Sequence, residues 1–240
     1  MTRVIAAICV WNEEQFIRNC IENIMQKIKN IYAIEILDGA WLPYASDNPN
    51  STDNTKAIVL ELKEKYKHLC NIFWNEPIAK PFESESAKRN TQLETIEKNY
   101  QDYAVFVIDA DETIQAATGQ QHFELASYIE DPQRIGCVKA FAFGSKIHGW
   151  TPRLFRGSAK IHYHTKRTME VHGTNCKPRI AYDPESQPMI QDLFYHPTVV
   201  EITDFFLVNQ YVKRDIDRRL AKLNSRKHEA SLTVSACDYK

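Results

Sequence analysis

Asp109 and Asp111 follow the apolar run Val105-Phe106-Val107-Ile108 with a single alanine between them, and Glu112 and Thr113 come next. Where a chain stays extended, alternate side chains point to the same side. Two carboxylates placed in that way can hold Mg²⁺ or Mn²⁺, with water and substrate phosphates filling the other positions. The other reading of Asp-Ala-Asp-Glu is a polar turn that closes a strand, and the pattern alone does not separate the two. Asp38 ends a second apolar run and precedes Gly39, while Asn12, Glu13 and Glu14 end a third. Lys88 and Arg89 form an adjacent basic pair. An arginine fork suits phosphate oxygens, although a lone basic residue on a helix is more often solvated.

These residues have to be positioned by regular elements. Val4–Val10, Ile31–Leu37, Asn71–Trp74 and Tyr103–Ile108 are short runs of strand character. Helical spacing of apolar residues predicts helices over Glu13–Ile28, from a cap at Ser51-Thr52-Asp53 to about Lys67, and over Ser84–Asn99. Strand–helix alternation of this kind implies an α/β fold, a mainly parallel sheet with helices on both faces. Ligands of such sheets bind beyond the carboxyl ends of the strands. Asn12, Asp38, Asp109 and Asp111 all fall there. Further on, Ile135–Phe143, Arg153–Phe155, Lys160–His164 and Thr168–His172 read as strands of a mixed half. Glu201–His228 reads as a long helix, with Phe205, Val208, Val212, Ile216, Leu220 and Leu223 in one stripe.

Composition narrows the function classes. The chain has 240 residues, which fits one domain with a first half to about residue 112, a second to about 200 and the helix after it. Lys+Arg number 30 against 31 Asp+Glu, so bulk charge does not support a nucleic-acid partner. Seven glycines leave no glycine-rich phosphate loop. Six scattered cysteines without a C-x-x-C pair read as reduced structural thiols of a cytoplasmic protein. Val4–Trp11 is far too short to cross a membrane. The basic residues of the C-terminal segment, Lys213 to Lys227, read as a solvated helix face; peripheral contact with a membrane surface is the other reading.

Taken in order, Val4–Asn12-Glu13-Glu14, Ile36-Leu37-Asp38-Gly39, Ser51-Thr52-Asp53-Asn54-Thr55, Lys88-Arg89-Asn90 and Asp109-Ala110-Asp111 resemble the family-2 glycosyltransferases of the GT-A fold. The forms Asp-Ala-Asp-Glu and Pro152-Arg153-Leu154-Phe155-Arg156 are similar to the branch that glycosylates bacterial lipopolysaccharide cores and related glycans. That family runs D-G-S-T-D-x-T without a break; here the eleven residues Ala40–Asn50 interrupt it.

The resemblance implies a nucleotide-sugar donor, a glycan or glycolipid acceptor, Mn²⁺ or Mg²⁺, and inversion at the anomeric carbon. It places Val10, Trp11 and Glu13 at the donor, with Trp11 against the base. Asp38 would read the base edge, which favours uracil. Lys88 and Arg89 would meet the diphosphate or base, Asp109 the ribose or metal, and Asp111 the metal. Relatives show V-H-E where this chain has Val171-His172-Gly173. Glu170 shares a strand face with His172 and is the expected base; His172 and His196 are expected metal contacts. Two other readings stand beside this one. Asp109-Ala-Asp-Glu-Thr113 also fits a haloacid-dehalogenase-like phosphatase with Asp109 as nucleophile. The loss of a Glu at Gly173 fits a non-catalytic nucleotide-sugar binder.

Overall fold

The computed structural model describes residues 2–41, 48–76, 79–131, 133–142, 148–159, 161–163, 180–182 and 199–210. The first half alternates as the spacing predicts. Strand β1 (Val4–Val10) leads to helix α1 (Ile17–Lys27), β2 (Ile31–Asp38), α2 (Thr55–Tyr66), β3 (Asn71–Asn75), α3 (Glu85–Asn99) and β4 (Ala104–Val107). Then come β5 (Glu112–Ala116), β6 (Ile135–Ala142), β7 (His148–Arg156), β8 (Ile161–Tyr163), β9 (Ile180–Tyr182) and β10 (Val199–Asn209). Eight strands form one mixed sheet in the order β3-β2-β1-β4-β7-β6-β10-β5, and β8 pairs with β9 apart from it. The pairs β3–β2, β2–β1, β1–β4 and β6–β10 are parallel.

Alternation along β1 and β4 divides the core. Val4, Ala6, Ile8, Val10, Phe106 and Ile108 pack with Ile17, Ile21 and Ile24 of α1 and with Val59 and Leu62 of α2. Ile5, Ala7, Val105 and Val107 point to the other face, against Leu93 and Ile96 of α3 and Phe155 of β7. A strand buried on both faces is apolar at every position, and β1 is such a strand. Among the described residues no helix is long and apolar enough to cross a membrane.

Two expectations are corrected. The predicted helix from Glu201 is instead β10 up to Asn209; residues 211–228 lie outside the described residues. Its buried residues, Ile202, Phe205 and Leu207, step by three and then two because the β10–β6 register shifts between Ile202 and Phe206. An irregularity of this kind breaks the two-residue period of a strand. Helix α1 begins at Ile17 instead of Glu13. The N–H groups of Glu13 and Glu14 are given to Thr55 Oγ1, at the start of α2, and to Asp53 Oδ2, just before it. The strand predicted over Thr168–His172 lies outside the described residues, and β5, immediately after the acidic pair, was not anticipated.

Gly157 fixes the approach of β7 to the α3–β4 connection. A Cβ built there would lie 2.2 Å from the Tyr100 carbonyl oxygen. Because the obstacle is backbone, Gly157→Ala should cost about 1–3 kcal/mol, the usual range for overpacking. Urea denaturation at constant m-value checks this, and an unchanged midpoint would show that the connection yields.

Candidate functional site

The carboxyl ends of β1, β2 and β4 and the first turns of α3 surround one small cavity. Cys9, Trp11, Glu13, Trp41, Glu85, Lys88, Arg89, Asp109, Ala110 and Asp111 line it, and it holds about 30 Å³. Most of the residues expected at the donor thus meet in one place. Glu170, His172 and His196 lie outside the described residues.

The interrupted motif is made whole in space. Ser51 Oγ donates to Asp38 Oδ1 at 2.6 Å, and the Ser51 N–H donates to Asp38 Oδ2 at 2.8 Å. The Asn12 N–H donates to Ser51 Oγ, and Asn12 Oδ1 accepts from the Thr52 N–H at 2.7 Å. Asn12 can take this part because it turns through the left-handed region, φ 53°, which asparagine tolerates. Asp38 and Ser51 therefore meet in space, and Ser51 stands where an uninterrupted motif would have it. Both Asp38 oxygens serve as the anchor. Burial pushes the Asp38 carboxyl up from its ordinary value, against the hydrogen bonds from Ser51 and the charge of Lys88. Ser51→Ala removes one bond to Asp38 and one from Asn12; a loss of about 1–3 kcal/mol is expected in thermal or urea unfolding. A variant as stable as the parent would mean that water replaces the hydroxyl.

Helix α3 carries its polar residues inward. Ser84 caps it by accepting the Ala87 N–H at 3.0 Å. Lys88 is fully buried, and its Nζ donates to the Val10 carbonyl at 2.5 Å and the Gly39 carbonyl at 2.6 Å. Burial lowers its pKa, partly offset by Cys9 and Asp38. Gln92, one turn on, donates to the Ile8 and Glu35 carbonyls. Lys88 and Gln92 thus tie α3 to β1 and β2, and the solvated face considered for Lys88 and Arg89 is corrected. Arg89 donates to Glu85 at 3.0 Å and to Asp109 Oδ1 at 2.5 Å. Asn90 is structural: its side chain both donates to the Tyr163 carbonyl and accepts the Tyr163 N–H.

The acidic stretch after β4 is a turn and not the extended segment expected. The Glu112 N–H donates to the Asp109 carbonyl while the Asp109 N–H donates to Glu112 Oε2, both at 2.9 Å. This reciprocal clamp directs Asp109 and Asp111 into the cavity without extended backbone. Arg153 of β7 donates to Glu112 Oε1 at 2.7 Å and lies 3.6 Å from Asp109 Oδ2. Burial raises the Glu112 pKa to about 7, against the pull of Arg153. Asp111 is held from β10: Asn209 Nδ2 donates to its Oδ1 at 3.1 Å, and the Gln210 N–H to its carbonyl at 2.7 Å. Sequence reasoning assigned no role to Glu112, Arg153, Asn209, Gln92 or Trp41; Glu112 and Arg153 had a signal, in the Asp-Ala-Asp-Glu and Pro-Arg-Leu-Phe-Arg stretches.

Among the described residues no three His, Cys, Asp or Glu side chains converge as a metal cage. Asp109 faces Arg89 and Arg153, and the Asp111 carboxylate is a further hard oxygen donor in the lining. One or two carboxylates with substrate phosphates are what Mg²⁺ and Mn²⁺ commonly take from a protein, so the residues present fit such an ion.

No protein-family model matches the chain, and no curated protein matches it. Solved structures do. The Staphylococcus aureus TarS fragment 1–349 in complex with UDP-GlcNAc aligns over 87% of this chain and 59% of that one, at 12% identity and a TM-score of 0.51. The fold is GT-A. The same fragment in another crystal structure aligns over 68% and 50%, at 16% identity and a TM-score of 0.47. GalNAc-T7 with UDP, GalNAc and Mn²⁺ aligns over 65% and 26%, at 12% identity and a TM-score of 0.41. The chain spans about half the length of the TarS fragment.

Proposed function

We propose that this chain is a metal-dependent inverting glycosyltransferase that moves a sugar from a UDP-linked donor to a hydroxyl of a glycan or glycolipid. The observation that carries the reading is the convergence of Lys88, Arg89, Asp109 and Asp111 on one cavity at the carboxyl ends of the parallel strands of a GT-A sheet, with Asp38 at the end of β2 beside it. The UDP-GlcNAc bound by TarS and the UDP bound by GalNAc-T7 are ligands of the class proposed. A phosphatase reading would need Asp109 as a nucleophile, yet its Oδ1 is engaged by Arg89.

Charge supports the need for a cation. The cavity lining holds four acids, Glu13, Glu85, Asp109 and Asp111, against the two cations Lys88 and Arg89. A bare diphosphate would meet a surplus of negative charge there. Asp111 would hold the divalent ion, with His172 and His196 as further proposed contacts, and the bound ion supplies positive charge beside the departing diphosphate. Arg89 positions Asp109 and brings a fork of donors to the same place. Lys88 holds the ends of β1 and β2 together, which sets the floor of the nucleotide pocket. Trp11 offers an aromatic face and Asp38 fixes the loop beside it.

In the reaction an acceptor oxygen forms a bond to the anomeric carbon as the bond from that carbon to the diphosphate oxygen breaks. The acceptor proton passes to a base, for which Glu170 is proposed. The reading is tested by UDP release from a panel of UDP-sugars with Mn²⁺, with and without added glycan acceptors. Release above the protein-free rate is expected for at least one donor. Absence of both release and UDP binding would overturn the proposal.

A further inference from the structure

The donor reading above uses nothing from the excursion of residues 40–50. Its described residues are nonetheless built into the site. The Ala40 N–H donates to the Pro49 carbonyl at 2.6 Å and closes the base of the excursion. The Phe82 N–H donates to the Ala40 carbonyl at 3.0 Å, and Trp41 forms a parallel bridge with Phe82. Phe82 stands just before Ser84, the cap of α3. Trp41 is therefore held between the end of β2 and the start of α3. The Lys88 ammonium lies 5.5 Å from its ring centroid, within the range of a cation–π contact. Trp41 and Trp11 line the same cavity. They leave adjacent strands, since Val10 is opposite Asp38 in the β1–β2 register.

We propose that Trp41 is a base-stacking residue, and that the excursion serves to bring a second indole beside Trp11 for the nucleobase of a nucleoside diphosphate. The inference rests on the nucleotide reading given under Proposed function. An indole presents a wide flat face that favours offset stacking on another ring. Such stacking is tolerant of base identity, because every base has a π-face. The two indoles would then supply affinity for any base, and the choice among bases would fall to polar groups beside them. A space of about 30 Å³ has room for roughly one or two waters and no base. A base stacked on these indoles would accordingly lie outside that space.

The test is isothermal titration of UDP, and separately of inorganic pyrophosphate, into the parent protein, Trp41→Ala and Trp41→Phe in one Mn²⁺ buffer. Trp41→Ala should weaken UDP binding by about 5- to 100-fold. Trp41→Phe should keep most of the affinity, and pyrophosphate should bind all three alike. If Trp41→Ala does not fold, Trp41→Leu makes the same comparison, with apolar bulk but no flat face. UDP binding unchanged in the alanine or leucine variant overturns the inference and leaves the nucleotide reading standing. An equal loss for UDP and pyrophosphate also overturns it, since Trp41 would then support the site as a whole. A parent protein that binds no nucleoside diphosphate overturns the nucleotide reading, and this inference with it.

Discussion

Asp111→Asn should reduce sugar transfer by a factor on the order of 10³ and remove the Mn²⁺ dependence of UDP binding. The substitution keeps the shape of the side chain and its contact with Asn209 Nδ2, seen at 3.1 Å, so the loop held by β10 should stay in place. What is lost is one negative charge in the lining of the cavity. Loss of a single preorganised charge-stabilising group in an enzyme site commonly costs about 10²–10³ in turnover. Here the loss also removes the attachment of the ion, so the upper end is expected. Steady-state turnover and UDP titration, each with and without Mn²⁺, check the prediction. Turnover that stays metal-dependent at the parent rate would move the cation elsewhere.

Arg153→Met should destabilise the fold by about 3–5 kcal/mol, the largest stability effect expected in this site. Arg153 is paired with Glu112 at 2.7 Å, with side-chain exposures of 8% and 3%. Removing the guanidinium leaves a buried carboxylate without its partner and takes away the charge beside Asp109. Such a penalty is mostly that of the stranded charge. The double variant Arg153→Met with Glu112→Gln should therefore recover a large part of the loss. Urea unfolding of the two single variants, the double variant and the parent gives the coupling as a double-mutant cycle. Strict additivity would show that the pair is not coupled.

The first half of the fold was legible because its signals are local. Val4–Val10 is apolar at each step, Ser84 is a capping residue at the right place, and polar residues follow within two positions of each of the first four strands or end it. The second half hid its last strand, since only Phe205 and Val208 of the predicted stripe fall in β10 and the other four members lie outside the described residues. Within the site, the residue types pointed to the right neighbourhood but not to the partners. Lys88 was read as a ligand of phosphate, whereas its ammonium is bonded to the Val10 and Gly39 carbonyls. No local pattern distinguishes a buried lysine from a solvated one when both sit on a helix of mixed polarity. Asn209 is 98 residues from Asp111, and nothing in either segment announces the contact. The eleven-residue excursion looked like damage to a motif. The contacts of Asp38 with Ser51 show that it is an addition beside an intact one.

The most direct test of the account is a thermal-shift measurement on the unmodified protein with UDP and Mn²⁺ together and with each alone. A ligand at about 100 times its Kd stabilises the native state by about 2.7 kcal/mol. For a chain of 240 residues, that corresponds to a rise in Tm of roughly 5–10 °C. The account predicts that rise with UDP and Mn²⁺ together, and a much smaller one with either alone. No shift with UDP or with any other nucleoside diphosphate at millimolar concentration, Mn²⁺ present, would contradict it.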